Sequence, residues 1–242
     1  MLHRDKSFFV VAMACCALLL SCGARRNEVE SPTPQGPPPP AHQEDNHAVE
    51  GLLGKIDDSI VEELFTRYSD RILHCYQYEA LEVLEEIEGD LTAFIDVDRN
   101  GRVTTAWFVG GNLGSSPAQR CLLNVIASVA FPPPIGGTHA EMFYTMPFDE
   151  PYQHPKPFDW SNDAAASAVL ESNRDQVDAC LNGSTDVTLT LYVGPGGRVL
   201  AAGGTGASMD GYQASECLSQ AAMSWKFANP GKHRPAKATF RF

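Results

Sequence analysis

Alternating apolar and polar positions predict two β-hairpins in this chain. The apolar positions of the first leading strand are Leu91, Ala93, Ile95 and Val97. Asn100-Gly101 follows as a tight turn, and residues 103–109 return as the second strand. Residues 187–193 alternate in the same way and lead into a Gly-rich turn at residues 195–197. Each hairpin is therefore expected to turn one face toward a core.

Apolar residues spaced three and four apart predict a helix before and after each hairpin. The stripe before the first hairpin is Val61, Leu64, Phe65, Tyr68, Ile72 and Cys75, and the one after it is Ala118, Cys121, Leu122, Val125 and Val129. The second hairpin has the stripes Ala166, Val169, Leu170, Val177 and Cys180, then Ala214, Cys217, Leu218, Ala221 and Trp225. A final strand is expected near residues 142–148 and again near residues 236–242.

These elements form a sequence repeat. Residues 92–134 align with residues 188–230 without a gap, and Cys121 then falls on Cys217. The expected fold class is α+β, with two tandem small domains of order helix–strand–strand–helix–strand. Each would have a short antiparallel sheet packed by two helices and closed by one disulfide. The predicted bounds are residues 51–149 and 162–242, joined by a linker at residues 150–161.

The N-terminal segment has the pattern of an export signal, predicted to cover residues 1–21. His3, Arg4 and Lys6 precede an apolar run that is too short to span a bilayer as a mature helix. The run ends at Ser21-Cys22, which resembles a bacterial lipobox and predicts lipidation of Cys22. The alternative is an ordinary signal peptide or membrane anchor with an incidental cysteine. Gly23 follows instead of an aspartate, which favours the periplasmic face of the outer membrane.

Residues 22–50 are predicted to be a lipidated N-terminus followed by a disordered, proline-rich spacer. The segment includes Pro37-Pro38-Pro39-Pro40 and contains almost nothing apolar, so it cannot bury enough surface to fold. The net charge of −12 argues against nucleic acid as a partner. Together these features indicate a bacterial envelope protein held at a membrane by its lipid.

The cysteines are accounted for by this organisation. Of seven, Cys15 and Cys16 lie in the signal and Cys22 is the lipidation site, which leaves four in the repeats. Four cysteines allow three pairings, and the repeat selects one, Cys75–Cys121 and Cys180–Cys217. A metal site made from all four is the alternative, but the chain has no C-x-x-C pair.

The element order and several residues resemble the TonB C-terminal domain. The resemblance rests on the hairpin pattern at residues 89–103, the Gly/Ser loop and helix that follow, and Phe131-Pro132. The positions of Cys75-Tyr76 and Cys121 are similar to a narrower branch, the AgmX/PglI-type C-terminal domain of myxobacterial gliding-motility proteins. The resemblance implies a fold without catalytic residues, whose sheet edge pairs with an extended periplasmic peptide.

No constellation of catalytic or metal-binding residues is expected. Asp96-Val97-Asp98-Arg99-Asn100-Gly101 matches the start of a calcium-binding loop, but the twelfth position, which needs a carboxylate, is Trp107. A plain hairpin turn is the favoured interpretation. The serines and histidines show no spacing typical of a nucleophilic enzyme. The sequence therefore predicts no enzyme, no metal site and no cofactor.

The candidate binding residues form two groups, the aromatic residues of the first hairpin and three residues of the last strand of the first repeat. Alternation places Phe94 and Phe108 on the outer face of the first hairpin and Trp107 on the buried face. Either the second helix or the other repeat covers these two phenylalanines, or they form a contact patch. Met142, Phe143 and Tyr144 are expected at the sheet edge where a partner strand would add.

The expected function is that of a non-enzymatic adaptor in an envelope or motility assembly. Its partner would be an envelope protein or an extended periplasmic peptide, with contact to the membrane only through the lipid and no small-molecule substrate. The alternative is a hydrolase or small-ligand-binding lipoprotein that uses the cleft between the repeats. A cleft lined by histidines and carboxylates would favour the alternative.

Overall fold

The computed structural model describes residues 51–149, 156–231 and 233–242. These residues belong to one compact unit, so the prediction of two separate domains is not confirmed. The first apolar core includes Tyr192, Ala201 and Tyr212 from the second repeat. The predicted signal, the lipidation site at Cys22 and the proline-rich spacer lie outside the described residues.

The first repeat follows the predicted element order. Its helices are α1 (Asp58–Arg67), α2 (Ser69–Tyr76) and α3 (Ser116–Ala127), and its strands are β1 (Gly89–Asp98), β2 (Val103–Gly111) and β3 (His139–Phe148). A π-helical turn at Gln77–Leu81 extends α2. The strands form one antiparallel sheet of order β2-β1-β3, which makes β3 an edge strand.

The second repeat has the same order with one additional strand. Its helices are α4 (Ala164–Ser172), α5 (Arg174–Leu181) and α6 (Met209–Ala222), and its strands are β4 (Phe158–Asp159), β5 (Val187–Val193), β6 (Val199–Gly206) and β7 (Ala236–Arg241). The sheet order is β4-β7-β5-β6. The short β4 lies in the predicted linker and pairs in parallel with β7.

The first helix of each repeat is interrupted at one residue. Tyr68 separates α1 from α2, and Asn173 separates α4 from α5. The Tyr68 hydroxyl donates to the Ser128 carbonyl at 3.2 Å, which fixes the break against the end of α3. The Asn173 side chain donates to the Val169 carbonyl at 2.8 Å and so competes with the helical ladder.

The strand β1 has the predicted alternation, and its buried side chains form the centre of the first core. Leu91, Ala93, Ile95 and Val97 are all buried. The helices α1, α2 and α3 supply Phe65, Cys75 and Leu122 to the same core. By contrast, β5 and β6 are buried at nearly every position on both faces. The second sheet is therefore covered on both sides.

A β-bulge in β2 reverses the predicted orientation of two aromatic residues. Val97 pairs with Val103 and Asp96 with Thr105, so Thr104 is an extra residue between them. One extra residue shifts the two-residue period and moves the side chains that follow it, as far as the second register shift at Val109, to the opposite face. Phe94 therefore pairs with Trp107, while Phe108 pairs with the buried Ala93 and is itself fully buried. The prediction that Phe108 faces outward and Trp107 inward was wrong.

The glycine of a Gly-Arg-Val motif shared by the repeats, Gly101-Arg102-Val103 and Gly197-Arg198-Val199, connects each hairpin turn to the segment after the next helix. Gly101 and Gly197 have φ angles of 77° and 73°, which only glycine adopts readily. Their carbonyls accept hydrogen bonds from the amides of Phe131 and Phe227, each at 2.9 Å. A side chain on either glycine would also overlap the carbonyl of that aromatic residue.

Both disulfides join the pairs predicted from the repeat. Cys75 of α2 is bonded to Cys121 of α3, with a Cα–Cα distance of 5.5 Å. Cys180 of α5 is bonded to Cys217 of α6, with a Cα–Cα distance of 5.4 Å. The alternative of a metal site made from all four cysteines is therefore wrong.

Candidate functional site

The outer edge of β3 is the main candidate for partner binding. The Gly54 amide donates to the His139 carbonyl at 2.7 Å, so the backbone groups of His139 point away from β1. Backbone groups alternate along a strand, and those of Glu141, Phe143 and Thr145 therefore point the same way. The backbone of Pro147 also points away from β1. Because proline has no amide hydrogen, its place on this side removes no hydrogen bond between β3 and β1.

A groove lies between this edge and the helices α1 and α2. Near the beginning of β3 it has a volume of about 450 Å³ and is lined by Gly54, Lys55, Ile56, Asp58, Val61, Glu62 and residues 141–144. Near the end it has a volume of about 370 Å³ and is lined by Phe65, Thr66, Ser69, Ile72, Leu73, Tyr76, Tyr144 and residues 146–149. The first part carries carboxylates and the second part is largely apolar.

An aromatic cluster lies on the outer face of the same sheet. The rings of Phe94 and Trp107 are 4.2 Å apart, and those of Phe94 and Phe143 are 5.6 Å apart. Phe143 is 64% exposed, the largest exposure of a phenylalanine among the described residues. The Trp107 indole nitrogen is buried and has no hydrogen-bond partner among the described residues. The cluster continues from β2 across the sheet to the open edge.

The predicted binding residues therefore divide between two faces of the sheet. Phe94 and Phe143 are on the outer face, as expected for side chains available to a partner. Met142 and Tyr144 face the helices, and Tyr144 stacks on Phe65 with the ring centroids 3.8 Å apart. Burial, with the nearby Glu62 carboxylate, raises the pKa of Tyr144. Phe108 is in the core, where its ring lies 6.4 Å from that of Tyr212.

The corresponding edge of the second repeat is closed. The carbonyls of Pro235, directly before β7, and of Lys237 on β7 accept from the amides of Phe158 and Trp160 at 3.4 Å and 2.8 Å. The Thr239 amide donates to the Ser161 hydroxyl at 2.9 Å. Thr239 occupies the position that Phe143 occupies in the first sheet, because Thr190 and Phe94 are their aligned partners. In the part of the chain that the structure describes, the second repeat thus satisfies edge groups whose counterparts in the first repeat are open.

The other edge of the second sheet is covered by the first repeat. The Ser116 hydroxyl donates to the Ala202 carbonyl at 2.9 Å, and the Gln119 amide donates to the Gly204 carbonyl at 2.7 Å. A Cβ atom at Gly203 would lie 2.6 Å from the Ser115 nitrogen. Glycine at this position therefore permits α3 to approach the sheet closely.

Two clefts lie between the repeats. One, of about 500 Å³, is lined by residues of α3, β6 and α6, with Glu216 as its carboxylate. The other, the charged cleft, has a volume of about 600 Å³ and contains side chains of both charges. It is lined by Glu88, Asp90, Gly110, Gly111, Asn112, Pro157, Asp159, Ser161, Thr188, Lys237, Thr239 and Arg241. Neither lining includes a histidine. The combination of histidines and carboxylates expected for a hydrolase is therefore not present in either cleft.

Lys237 is the central side chain of the charged cleft. Its ammonium donates to the Glu88 carbonyl at 2.6 Å and lies 5.6 Å from the centre of the Tyr192 ring. Burial lowers the pKa of Lys237, although Glu88, Asp90 and Asp159 act in the opposite direction. Local sequence patterns do not predict this cleft, because its residues come from distant parts of the chain.

The loop that resembles a calcium-binding motif is a hairpin turn. An Asp98 side-chain oxygen accepts from the amides of Asn100 and Arg102 at 2.8 Å and 2.9 Å. The hydrogen bond from Arg102, together with that from Asn100, lowers the pKa of Asp98. In the described ranges, no group of three or more histidines, cysteines or carboxylates is arranged to hold a metal ion.

Among residues 51–149, 156–231 and 233–242, no helix is both long enough and apolar enough to cross a bilayer.

Comparison with known proteins gives a weak structural similarity. No protein-family model matches the chain, and no curated protein matches it. Among solved structures, the HasB CTD is 20% identical, with a TM-score of 0.24. The similarity covers 50% of this chain and 95% of the HasB CTD.

Proposed function

We propose that this protein is a non-enzymatic adaptor of the bacterial cell envelope that binds an extended segment of a partner protein along β3. The observation that supports this most is the contrast between the two sheets. The outer edge of β7 is closed by β4 and Ser161, whereas that of β3 is contacted at its first residue, His139, by Gly54. The second repeat then serves mainly to hold the first in place.

Strand addition would use the outward backbone groups of β3. Glu141, Phe143 and Thr145 offer amides and carbonyls at alternate positions, and Pro147 ends this series of donors. The open length suits a partner strand of about four to six residues, a usual length for a strand. Main-chain hydrogen bonds would supply much of the affinity and would be tolerant of partner sequence.

The surroundings of the edge would supply specificity. Partner side chains on one face would enter the groove beside α1 and α2, where Leu73 is 48% exposed. Those on the other face would lie beside Phe143, at the end of the aromatic cluster. Aromatic side chains that become buried when a partner binds often dominate the energy of protein interfaces.

The membrane attachment of the proposed adaptor depends on Cys22. Acylation there would hold the protein at the periplasmic face of the outer membrane, and the spacer at residues 23–50 would keep the repeats at a distance from it. Cys22→Ser should move the protein to the soluble fraction, while Cys16→Ser within the apolar run should not. Retention of the Cys22→Ser protein at the membrane would contradict this part of the proposal.

The resemblance to the AgmX/PglI-type domain motivates the narrower proposal of a role in a gliding-motility assembly. The open β3 edge is also what the TonB-like mode of peptide pairing would require. Both points are secondary to the contrast between β3 and β7.

The strand-addition mechanism can be tested with a matched pair of variants at Thr145. Both substitutions remove the hydrogen bond between the Thr145 and Thr92 hydroxyls. Thr145→Pro also removes the outward backbone amide, whereas Thr145→Ala keeps it. A photo-crosslinking residue at Phe143 would report the partner in intact cells. The adduct should be lost with Thr145→Pro and retained with Thr145→Ala.

Two outcomes would contradict the mechanism. An undiminished adduct in Thr145→Pro would show that the edge amides are not used. An equal loss in both variants would assign the effect to the side chain. A crosslinking residue at the exposed Lys226 of the second repeat serves as the control and should not give the same adduct.

A further inference from the structure

We infer that the charged cleft binds a small zwitterion, a ligand with both a carboxylate and an ammonium group, such as an amino acid or a short peptide. This function would be additional to partner binding at β3, which is on the other edge of the first sheet. It departs from the leading expectation of no small-molecule substrate and gives a ligand class to the alternative of a small-ligand site between the repeats.

The size and position of the cleft suit such a ligand. Its volume of about 600 Å³ is within the range of small-molecule sites, which often lie at the junction between two structural units. Its walls come from β1 and β2 of the first repeat and from β4, β5 and β7 of the second. A bound ligand would therefore contact both repeats.

The charges of the cleft are of both signs and are nearly balanced. Lys237 and Arg241 project from the same face of β7, since they are four residues apart in a strand. Asp90 and Asp159 supply carboxylates to the same cleft. The third carboxylate, Glu88, forms an ion pair with Lys156 at 3.0 Å. A ligand with one charge of each sign would preserve this balance.

The cationic side of the cleft has unused hydrogen-bond donors. A lysine ammonium has three donors, and among the described residues that of Lys237 donates only to the Glu88 carbonyl, at 2.6 Å. The ammonium is partly buried, so a ligand carboxylate would restore interactions that water supplies to an exposed lysine. Arg241 is exposed beside it and presents a planar fork suited to a carboxylate.

The anionic side has acceptors for a ligand ammonium. One Asp159 oxygen, Oδ1, accepts from the Ser161 amide at 2.9 Å and from its hydroxyl at 2.6 Å. Within residues 51–149, 156–231 and 233–242 the other oxygen, Oδ2, accepts no hydrogen bond, so it could accept one from a ligand. The hydrogen bonds recorded for Asp90 involve its backbone, with Asn112 as the partner. Asp90 lines the cleft, and its carboxylate makes no hydrogen bond or ion pair within the described part of the chain.

The test is calorimetric titration of the full-length protein with alanyl-alanine and two blocked forms. N-acetyl-alanyl-alanine lacks the ammonium, and alanyl-alanine amide lacks the carboxylate. The unmodified dipeptide should bind at least about tenfold more tightly than either blocked form. Free alanine, titrated in parallel, determines whether one residue is sufficient for binding.

Variants assign each charge to its side of the cleft. Lys237→Met should weaken dipeptide binding about tenfold and remove the preference over the amide, while Asp90→Asn should remove the preference over the acetylated form. Lys226→Met is the matched control, because Lys226 is an exposed lysine that does not line the cleft. The Glu88 carbonyl retains the Tyr192 hydroxyl as a donor in Lys237→Met, and urea unfolding checks that the variant is folded.

Three results would overturn the inference. These are equal affinity for blocked and unblocked dipeptides, unchanged binding in Lys237→Met, or no binding of any probe up to about 10 mM. Thr145→Pro, which alters β3, should leave dipeptide binding unchanged. The outcome is therefore independent of the proposal for partner binding.

Discussion

The Tyr192 hydroxyl is hydrogen-bonded to both backbone groups of Glu88, donating to the carbonyl at 2.9 Å and accepting from the amide at 3.0 Å. Tyr192 belongs to β5 of the second repeat, and Glu88 directly precedes β1 of the first. Burial raises the pKa of Tyr192, with its hydrogen bond to Glu88 acting in the opposite direction. This contact directly links the backbone of one repeat to a buried side chain of the other.

Tyr192→Phe should lower the free energy of unfolding by about 1–3 kcal/mol, because it leaves the Glu88 amide without its partner. The Glu88 carbonyl would keep the Lys237 ammonium as a donor. Urea unfolding measures the effect. Tyr212→Phe is the control: its hydroxyl contacts Glu216 within α6 at 3.4 Å, so its loss should cost less. Equal effects would contradict a special role for Tyr192.

Gly203→Ala should destabilise the protein by about 1–3 kcal/mol, because the added methyl would meet the Ser115 nitrogen and the Gln119 side chain. The effect would report the packing of α3 on the second sheet. Gly196→Ala is the matched control, since an added Cβ there has nothing within 4 Å. Thermal unfolding of the two variants compares them. A neutral Gly203→Ala would mean that the repeats separate without cost.

Each disulfide should contribute about 3–4 kcal/mol to stability, since the linked cysteines are 46 and 37 residues apart in sequence. Replacing Cys75 and Cys121 together by alanine should therefore lower the urea midpoint. Replacing Cys180 and Cys217 should have a similar effect. Reduction of the unaltered protein should reproduce the sum of both losses. An unchanged midpoint would contradict the expected stabilisation.

Asp98 should make the first hairpin sensitive to acid. Its pKa is lowered by the hydrogen bonds from the Arg102 and Asn100 amides, so its contribution to stability is present above the unfolded-state pKa near 4. The contribution is lost as the pH falls through the lower folded-state pKa. The stability difference between the unaltered protein and Asp98→Asn should accordingly shrink at low pH. An NMR titration of the Asp98 carboxyl carbon checks the direction of the pKa shift.

The sequence predicted the elements whose signals are local. Helical stripes and strict alternation located α3, β1 and β5 correctly, and the aligned cysteines identified both disulfides. The bulge at Thr104 gave no such signal, because threonine is an ordinary strand residue. The outward cluster of Phe94 with Trp107 was missed for that reason.

Contacts between the repeats were beyond the reach of these local patterns. Glu88 and Lys237 meet in the charged cleft although they are 149 positions apart in sequence. The two-residue strand β4 is too short to produce a recognisable alternation. A usable signal did exist at Gly203-Gly204, where adjacent glycines in a strand indicate close approach of another element.

The distribution of tryptophan gives the protein its own optical probes. Of its three tryptophans, Trp160 and Trp225 are buried in the second repeat, while Trp107 is partly exposed in the aromatic cluster of the first. Fluorescence from Trp107 should therefore respond when a partner covers Phe143, and the other two should not. In a Trp107→Phe protein the remaining emission would come from the second repeat alone. The difference between its unfolding curve and that of the unaltered protein would then follow the first repeat.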